Sequence, residues 1–438
     1  MSKALGMRCV WGLGGVLGSV LALASVARAE VSTDISGSVL VYAKVVFDGG
    51  NFALGQTNGL GAPIGDESFL QRDTVIQLSN TSNNVVHAQC FYVNGANGLW
   101  QVTDFTIWLT RQQPTHWVVS DGRQVNPADA WASGGAGLDP GLIPPVPPGF
   151  EGELKCVQID ASGTPFGGNN LKGEAVIRSF DGDVSKHNAV AILANPDLAG
   201  DFPPNQLLLN NTPANDGEYN ACPEVLLLDH AVDGTPNTSN GTNVISALNP
   251  AACDDEDCPI RTYLTLVPCT QDFENAQPAF VTVQFQIFNE LEQVFSTSTS
   301  VRCWRSTRLA DIDAATGRCT RTGSLCVTDR QCIENDEGFC DKNSVFAVGV
   351  LGTGSAFSSI TPVDPFGGVI GMAEEYVYNN VDCEAADEMG GTTNSPGEIE
   401  CQDTRVARGA WNLQQLGNRF DPDRHVTDEI DIPLFFGF

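Results

Sequence analysis

"VVHAQCFYV", residues 85–93, decides the fold class. Val86, Ala88, Cys90 and Tyr92 fall on one side of an extended chain and His87, Gln89 and Phe91 on the other, the period of two that a half-buried strand requires. "DFTIWLT" (104–110) repeats the pattern with Phe105, Ile107 and Leu109, and "GELKCVQI" (152–159) puts Leu154 and Cys156 on one face. Turn-formers flank the first of these, at Asn80–Asn84 and at Asn94-Gly95. Amphipathic periods longer than two helical turns are scarce, and only "MAEEYVYNN" (372–380) and "GAWNLQQLGNRF" (409–420) offer short helix candidates. With 45 Gly, 24 Pro and 17% charged residues, below the roughly 25% of an average globular chain, the expectation is an all-β, loop-rich protein.

The order of strands recurs. "DTVIQLSN", "VVHAQCFYVN", "DFTIWLTRQQPTHW", "GELKCVQI" and "LKGEAVI" in the first half have counterparts in "RTYLTLVPC", "FVTVQFQIFNE", "VFSTSTSVRCW", "VFAVGVLGT" and "GVIGMAEE" in the second. A chain of 438 residues is too long for one ordinary core, and two antiparallel β-sandwich domains of Ig-like kind explain the echo. The expected organisation is a leader at 1–29, one sandwich at 30–200, a second at 201–380, and an acidic loop with a closing strand at 381–438.

The leader reads as a secretory signal. Lys3 and Arg8 precede an apolar run from about Val10 to Val26, and Ala27-Arg28-Ala29 supplies small residues at the cut. No later segment is long and apolar enough to cross a membrane as a helix. Export to the exterior or the cell surface then governs the cysteines, because an oxidising compartment turns clusters into disulfides.

"CTRTGSLCVTDRQCIENDEGFC" (319–340) spaces Cys319, Cys326, Cys332 and Cys340 as C-x6-C-x5-C-x7-C. The paired knuckles and histidines of a structural zinc site are missing, and no C-x-x-C offers redox chemistry. Two local disulfides are expected to staple an insert too polar to build its own core, with three connectivities open. Elsewhere the expected pairs are Cys90 with Cys156, Cys253 with Cys258, and Cys383 with Cys401. Leader removal leaves thirteen cysteines, so one is free or links two chains.

The net charge of −30 becomes −33 when Lys3, Arg8 and Arg28 leave with the leader. Such a balance disfavours nucleic acid and anionic membranes. Acidic clusters point instead to calcium as a cofactor: Asp254, Asp255 and Asp257 within "CDDEDC", Asp311 and Asp313 within "LADIDAATG", and Asp421, Asp423 and Asp428 near the C-terminus. Hard oxygen ligands on loops suit that ion, although none of these runs follows the EF-hand spacing.

The stretches "IQLSNTSNNVVHAQCFYVNG" and "TDFTIWLTRQQPTHWVVSDG" resemble the Ig-like sandwich domains of uncharacterised secreted bacterial proteins. The cysteine-rich insert is similar to short disulfide segments in exported proteins of bacteria such as the myxobacteria. That resemblance implies fold and compartment and carries over no active-site residue.

Catalytic motifs are missing from the sequence: no H-E-x-x-H, G-x-S-x-G, phosphate loop or dinucleotide fingerprint occurs. His87, His116, His187, His230 and His425 stand singly. The terminal "IDIPLFFGF" alternates like the last strand of an outer-membrane barrel, but Pro433 and the missing ten-residue repeats favour a strand within a sandwich. Two functions follow as expectations: an exported non-catalytic component meeting a cell-surface or extracellular polymer through long loops, or a polysaccharide hydrolase with opposed loop carboxylates.

Overall fold

The computed structural model describes residues 31–32, 34–49, 72–96, 100–123, 142–179, 184–194, 206–210, 219–236, 259–333, 335, 337–364, 367–377, 412–415, 417–419 and 427–433. Their order of elements is almost wholly β, and no helix among them is long and apolar enough to cross a membrane.

The first sandwich is one ten-stranded sheet doubled over. Strands β5 (Gln101–Leu109), β4 (Val86–Asn94), β7 (Phe150–Ile159) and β2 (Val39–Phe47) form one layer, extended by β10 (Val190–Ile192) and β1 (Val31–Ser32). Strands β6 (Pro114–Val118), β3 (Asp73–Asn80), β8 (Leu171–Arg178) and β9 (Val184–Asn188) form the other, and the two layers are joined where Phe47 pairs with Asp73. Leu40, Tyr42, Ile76, Leu78, Cys90, Phe105, Trp117 and Leu154 fill the space between.

The second sandwich repeats this topology, with no counterpart of β1 among the described residues. One layer holds β16 (Val294–Arg302), β15 (Phe280–Asn289), β21 (Ser355–Pro362), β12 (Val225–Ala231) and β24 (Gly417–Arg419); the other holds β17 (Arg305–Arg308), β13 (Ile260–Pro268), β22 (Val369–Val377) and β23 (Asn412–Gln415). Registers agree as well. Ile76 pairs with Ala175 in the first sandwich and Leu264 with Ala373 in the second. The Thr74 hydroxyl donates to the Val46 carbonyl at 2.9 Å across the layers, and the Thr262 hydroxyl donates to the Ala231 carbonyl at 3.1 Å. At the ends of β4 and β15, the Asn94 and Asn289 side chains each accept the N–H two residues on, both at 3.0 Å.

Four of the five expected strand correspondences hold, and one is corrected. "VFAVGVLGT" is not the counterpart of β7: it carries helix α1 (Val348–Leu351), closed by Gly352 at φ 68°, and the counterpart is β21. A short apolar run does not distinguish strand from helix turn. Both short helix candidates are corrected too. "MAEEYVYNN" supplies the end of β22 and "GAWNLQQLGNRF" supplies β23 and β24, because pairing with β13 and β12 overrides weak local preference.

The sandwiches stack, giving four layers. The β4/β7/β2 layer of the first lies against the β13/β22 layer of the second, and the seam gathers Val41, Phe91, Val157, Trp304, Ile370 and Met372. Strands of these two inner layers are buried on both faces: all nine residues of β13 are buried, as are eight of nine in β2. Outer strands such as β8 and β15 alternate buried and exposed. A small third sheet of β11 (Gln206–Asn210), β25 (Thr427–Asp431) and β14 (Gln271–Asp272) caps the seam, with Ile430 and Ile432 fully buried in it. The last described strand therefore closes this small sheet rather than a sandwich layer, and no sheet among the described residues closes into a barrel.

Candidate functional site

Between β17 and β21, at the place of the β6 to β7 connection in the first sandwich, the chain builds the cysteine-rich insert. Strands β18 (Gly317–Cys319), β19 (Leu325–Cys326) and β20 (Cys340–Lys342) pair around helix α2 (Asp329–Ile333). Cys319 bonds Cys332 and Cys326 bonds Cys340, a first-to-third, second-to-fourth connectivity that spacing left open. The four buried sulfurs are the insert's core. Its outer face is open: Leu325 is 75% exposed and Val327 48%, flanked by exposed Arg318, Thr320 and Thr322.

A buried charge quartet fixes the insert to the sandwich. Asp329 begins α2 and takes both arms of Arg261 on β13, Nε at 2.9 Å and NH2 at 3.0 Å. Asp233, just after β12, takes both arms of Arg308 on β17 at 2.7 and 2.5 Å. Cross-links at 3.0 Å (Arg261 to Asp233) and 3.4 Å (Arg308 to Asp329) join the two pairs. The Cys340 N–H donates to Asp329 at 2.7 Å and the Cys340 carbonyl accepts from Arg308 at 3.1 Å, so the clamp grips the staple itself. Two cations and two anions balance, and bidentate geometry offsets the desolvation that burial imposes. Burial pushes the Asp329 carboxyl up, but the Arg261 and Arg308 guanidiniums and the bonds from Arg261 and Cys340 bring it below the usual value. Both guanidiniums stay above theirs: burial works against each, and Asp329 and Asp233 overcome it.

The acids singled out for calcium are placed as follows. Asp311 pairs with the Lys342 ammonium, and burial pushes its carboxyl up. Asp313 accepts from the Ser344 hydroxyl and from the Val345 N–H at 3.0 Å. Each thus already serves a protein donor at the root of the insert. Asp428 is buried and accepts from Thr270 at 2.8 Å and from the Gly368 N–H at 3.1 Å. Asp254, Asp255, Asp257, Asp421 and Asp423 lie outside the described residues. Among the described residues, the His, Cys and acid groupings compact enough for one ion are Cys319 with Cys326 and Cys332, and Cys222 with Cys269 and Asp428. Their sulfurs are all in disulfides.

Cys90 and Cys156 bond as expected, directly across β4 and β7. Cys222 and Cys269 bond as well, a pair not anticipated, between a loop and the end of β13. Cys253, Cys258, Cys383 and Cys401 lie outside the described residues. Among the described residues Cys303 is the free cysteine, and it is buried in the seam rather than presented to another chain. Burial pushes its thiol up to about 12, which removes the thiolate that exchange requires.

One constellation has the spacing of a nucleophile and base. His230 Nε2 lies 2.8 Å from the Ser358 hydroxyl, while its Nδ1 faces the Ala231 carbonyl at 3.0 Å. Both residues are buried, His230 with its ring 6.1 Å from that of Phe346, and burial takes the imidazole down to about 4. With no room for a substrate carbonyl at the hydroxyl, this is a satisfied core pair. His187 is also buried, lowered to about 4 by desolvation and by Lys44. His87 stacks on Trp108 at 3.8 Å, His116 is exposed, and His425 lies outside the described residues.

The seam is charged too. Lys44 meets Glu374 at 2.5 Å, Ser306 at 3.2 Å and Glu151 at 3.4 Å, and Trp304 Nε1 donates to the Ala43 carbonyl at 2.8 Å. Arg72 pairs with Asp48 at 3.0 Å and reaches the Tyr376 hydroxyl at 3.3 Å. Lys155 and Glu153 share Gln271. The first two groups join the two sandwiches and the third joins the first sandwich to the capping sheet through Gln271 on β14, so separating the sandwiches strands buried charge.

Sequence reasoning missed the quartet. The one available signal was Arg261 opening the strand pattern "RTYLTLV", an ionised group on a strand otherwise reading as core. The four layers, the clamped insert and the buried seam find no counterpart by sequence: no model of a known protein family matches the chain, and no curated protein matches it.

Proposed function

We propose that the protein is an exported, non-catalytic recognition component in which the double sandwich is the stand and the stapled insert is the contact element. The observation that carries this reading is the contrast within the insert. Its inner side is fixed by two disulfides and a four-charge clamp, while Leu325 and Val327 are held out into solvent. A loop ordered in advance loses little conformational entropy on binding, and an apolar pair with a polar rim is the composition of a small contact patch. An extracellular or cell-surface polymer is the partner class this patch serves.

The test is co-sedimentation of the exported protein with cell envelopes and with insoluble extracellular polymers, alongside an L325D/V327D double variant. Binding that falls at least tenfold in the variant, at an unchanged melting temperature, supports the reading. Equal binding by both forms, or release of reducing sugar from a polysaccharide by the wild type, overturns it.

A further inference from the structure

Among the described residues β16 is the edge of the outer layer of the second sandwich. It runs nine residues, "VFSTSTSVR", with exposure alternating between full and partial along nearly its whole length. Native edges usually carry a proline, an inward charge or a bulge. β6 starts at Pro114, β5 carries Asp104, β9 carries Lys186 and β17 carries Arg305 and Arg308. β16 has no proline, no acid and, until Arg302 at its end, no charge. Val294 at its start is 59% exposed and Phe280, opposite Arg302 on β15, 64%.

The direction of its free backbone groups follows from the hairpin. Asn289 N–H bonds the Gln293 carbonyl and Cys303 N–H bonds the Ala279 carbonyl. In the β15 to β16 register these are the pairs that exchange hydrogen bonds, so odd-numbered residues of β16 bond β15. Val294, Ser296, Ser298, Ser300 and Arg302 therefore point their N–H and C=O groups away from the sheet; of these, the Ser300 carbonyl accepts from the Arg305 guanidinium at 3.3 Å and the Arg302 carbonyl from the Trp304 N–H at 2.7 Å.

We propose that β16 is a strand-addition site for a second copy of this chain, pairing antiparallel with itself about Ser298. The sequence is a palindrome around that residue: Thr297 and Thr299, Ser296 and Ser300, and Phe295 and Val301 are symmetric. In the joined ladder Phe295 faces Val301 and Thr297 faces Thr299, both favourable cross-strand pairs. Ser296 faces Ser300, and Arg302 faces Val294, so no like charges meet. The even residues are the ones that turn their backbone groups outward, as an antiparallel ladder centred on Ser298 demands, and at Ser300 the Ser296 N–H of the second copy shares the carbonyl with Arg305. In a chain of net charge −30, an acid-free edge is also where two copies repel least. The contact is a modest one in area and belongs to the weak, reversible class.

Light scattering of the exported protein at about 100 µM chain, a concentration suited to such contacts, tests this. The wild type is expected at twice the chain mass and Ser298→Pro at the chain mass. Proline is suitable because the Ser298 N–H bonds nothing in β15, so the hairpin keeps its own ladder. Should S298P melt early, cross-linking decides: Ser298→Cys faces itself at the axis and forms a disulfide dimer with dissolved oxygen as oxidant, whereas Ser300→Cys faces Ser296 of the second copy and does not. A wild type of single-chain mass, a folded S298P that remains a dimer, or equal cross-linking at 298 and 300 overturns the proposal.

Discussion

Cys90 and Cys156 in the first sandwich occupy the places that Phe285 and Ile360 occupy in the second. In each case the two residues are direct partners across the central strand pair, and all four are fully buried. One sandwich ties β4 to β7 with a covalent bond; the other packs an aromatic ring against a β-branched side chain and sets Phe285 edge-on to Phe346 at 5.4 Å. The frame dictates position and burial but leaves the chemistry free, provided the volume is filled. A second contrast accompanies the first. The clamped insert of the second sandwich stands at the place of the β6 to β7 connection, so the elaboration lies in a connection while the ladders keep register.

The sharpest way to break this comparison is to remove the clamp, which has no counterpart among the described residues of the first sandwich. Asp329→Ala leaves two buried guanidiniums short of an anion and is expected to cost about 3–5 kcal/mol. Limited proteolysis should then cut the insert first. Next are the paired positions themselves. Phe285→Ala is expected to cost about 3–5 kcal/mol and the C90A/C156A double variant about 2–4 kcal/mol, read by denaturant melts. If the disulfide loss proved harmless while the cavity was severe, the two solutions would not be equivalent.

Titration gives a third, smaller effect that belongs to the seam. His187 titrates at about 4 in the folded chain against 6.5 ordinarily. As pH falls from about 6.5 to 4 the unfolded chain takes up a proton that the folded chain refuses, so stability drops, by on the order of 3 kcal/mol. Asp428 works oppositely. Burial raises it to about 6 from 3.8, so its contribution is greatest at low pH and is lost as pH rises from about 3.8 to 6. Melts across pH 4–7 should therefore flatten in His187→Asn and steepen toward acid in Asp428→Asn. The smallest effect is at the outer face: Gln286→Leu, equivalent to Phe91 in the seam, should alter stability by no more than about 0.5 kcal/mol.

Much of this architecture was legible before any coordinates. Alternation at Val86 to Tyr92 identified β4, the echo between "DTVIQLSN" and "RTYLTLVPC" aligned β3 with β13, and the cysteine spacing gave the staple. These are local signals, and side-chain period in a strand is a local property. What stayed hidden depends on distant partners. Arg261 finds Asp329 across 68 residues and Lys44 finds Glu374 across 330. No periodicity encodes such meetings, and 53 acidic residues leave too many candidates for each cation. The echo placed "GVIGMAEE" on a strand while the local pattern of "MAEEYVYNN" suggested a helix, and only pairing with β13 and β23 decides for the strand as far as Val377.

The seam joins unlike faces: the β4/β7 side of one sandwich meets the β13/β22 side of the next. Contacts of this head-to-tail kind do not close on themselves, and repeated they generate an open filament. The far faces carry different side chains at the equivalent positions. Phe91 and Val157 of the seam become Gln286 and Thr361 on the far side of the second sandwich, while Ile370 and Met372 become Lys172 and Glu174 on the far side of the first. Stacking of this kind is thus controlled by a few surface residues rather than by the fold, which is the same on both sides of the seam.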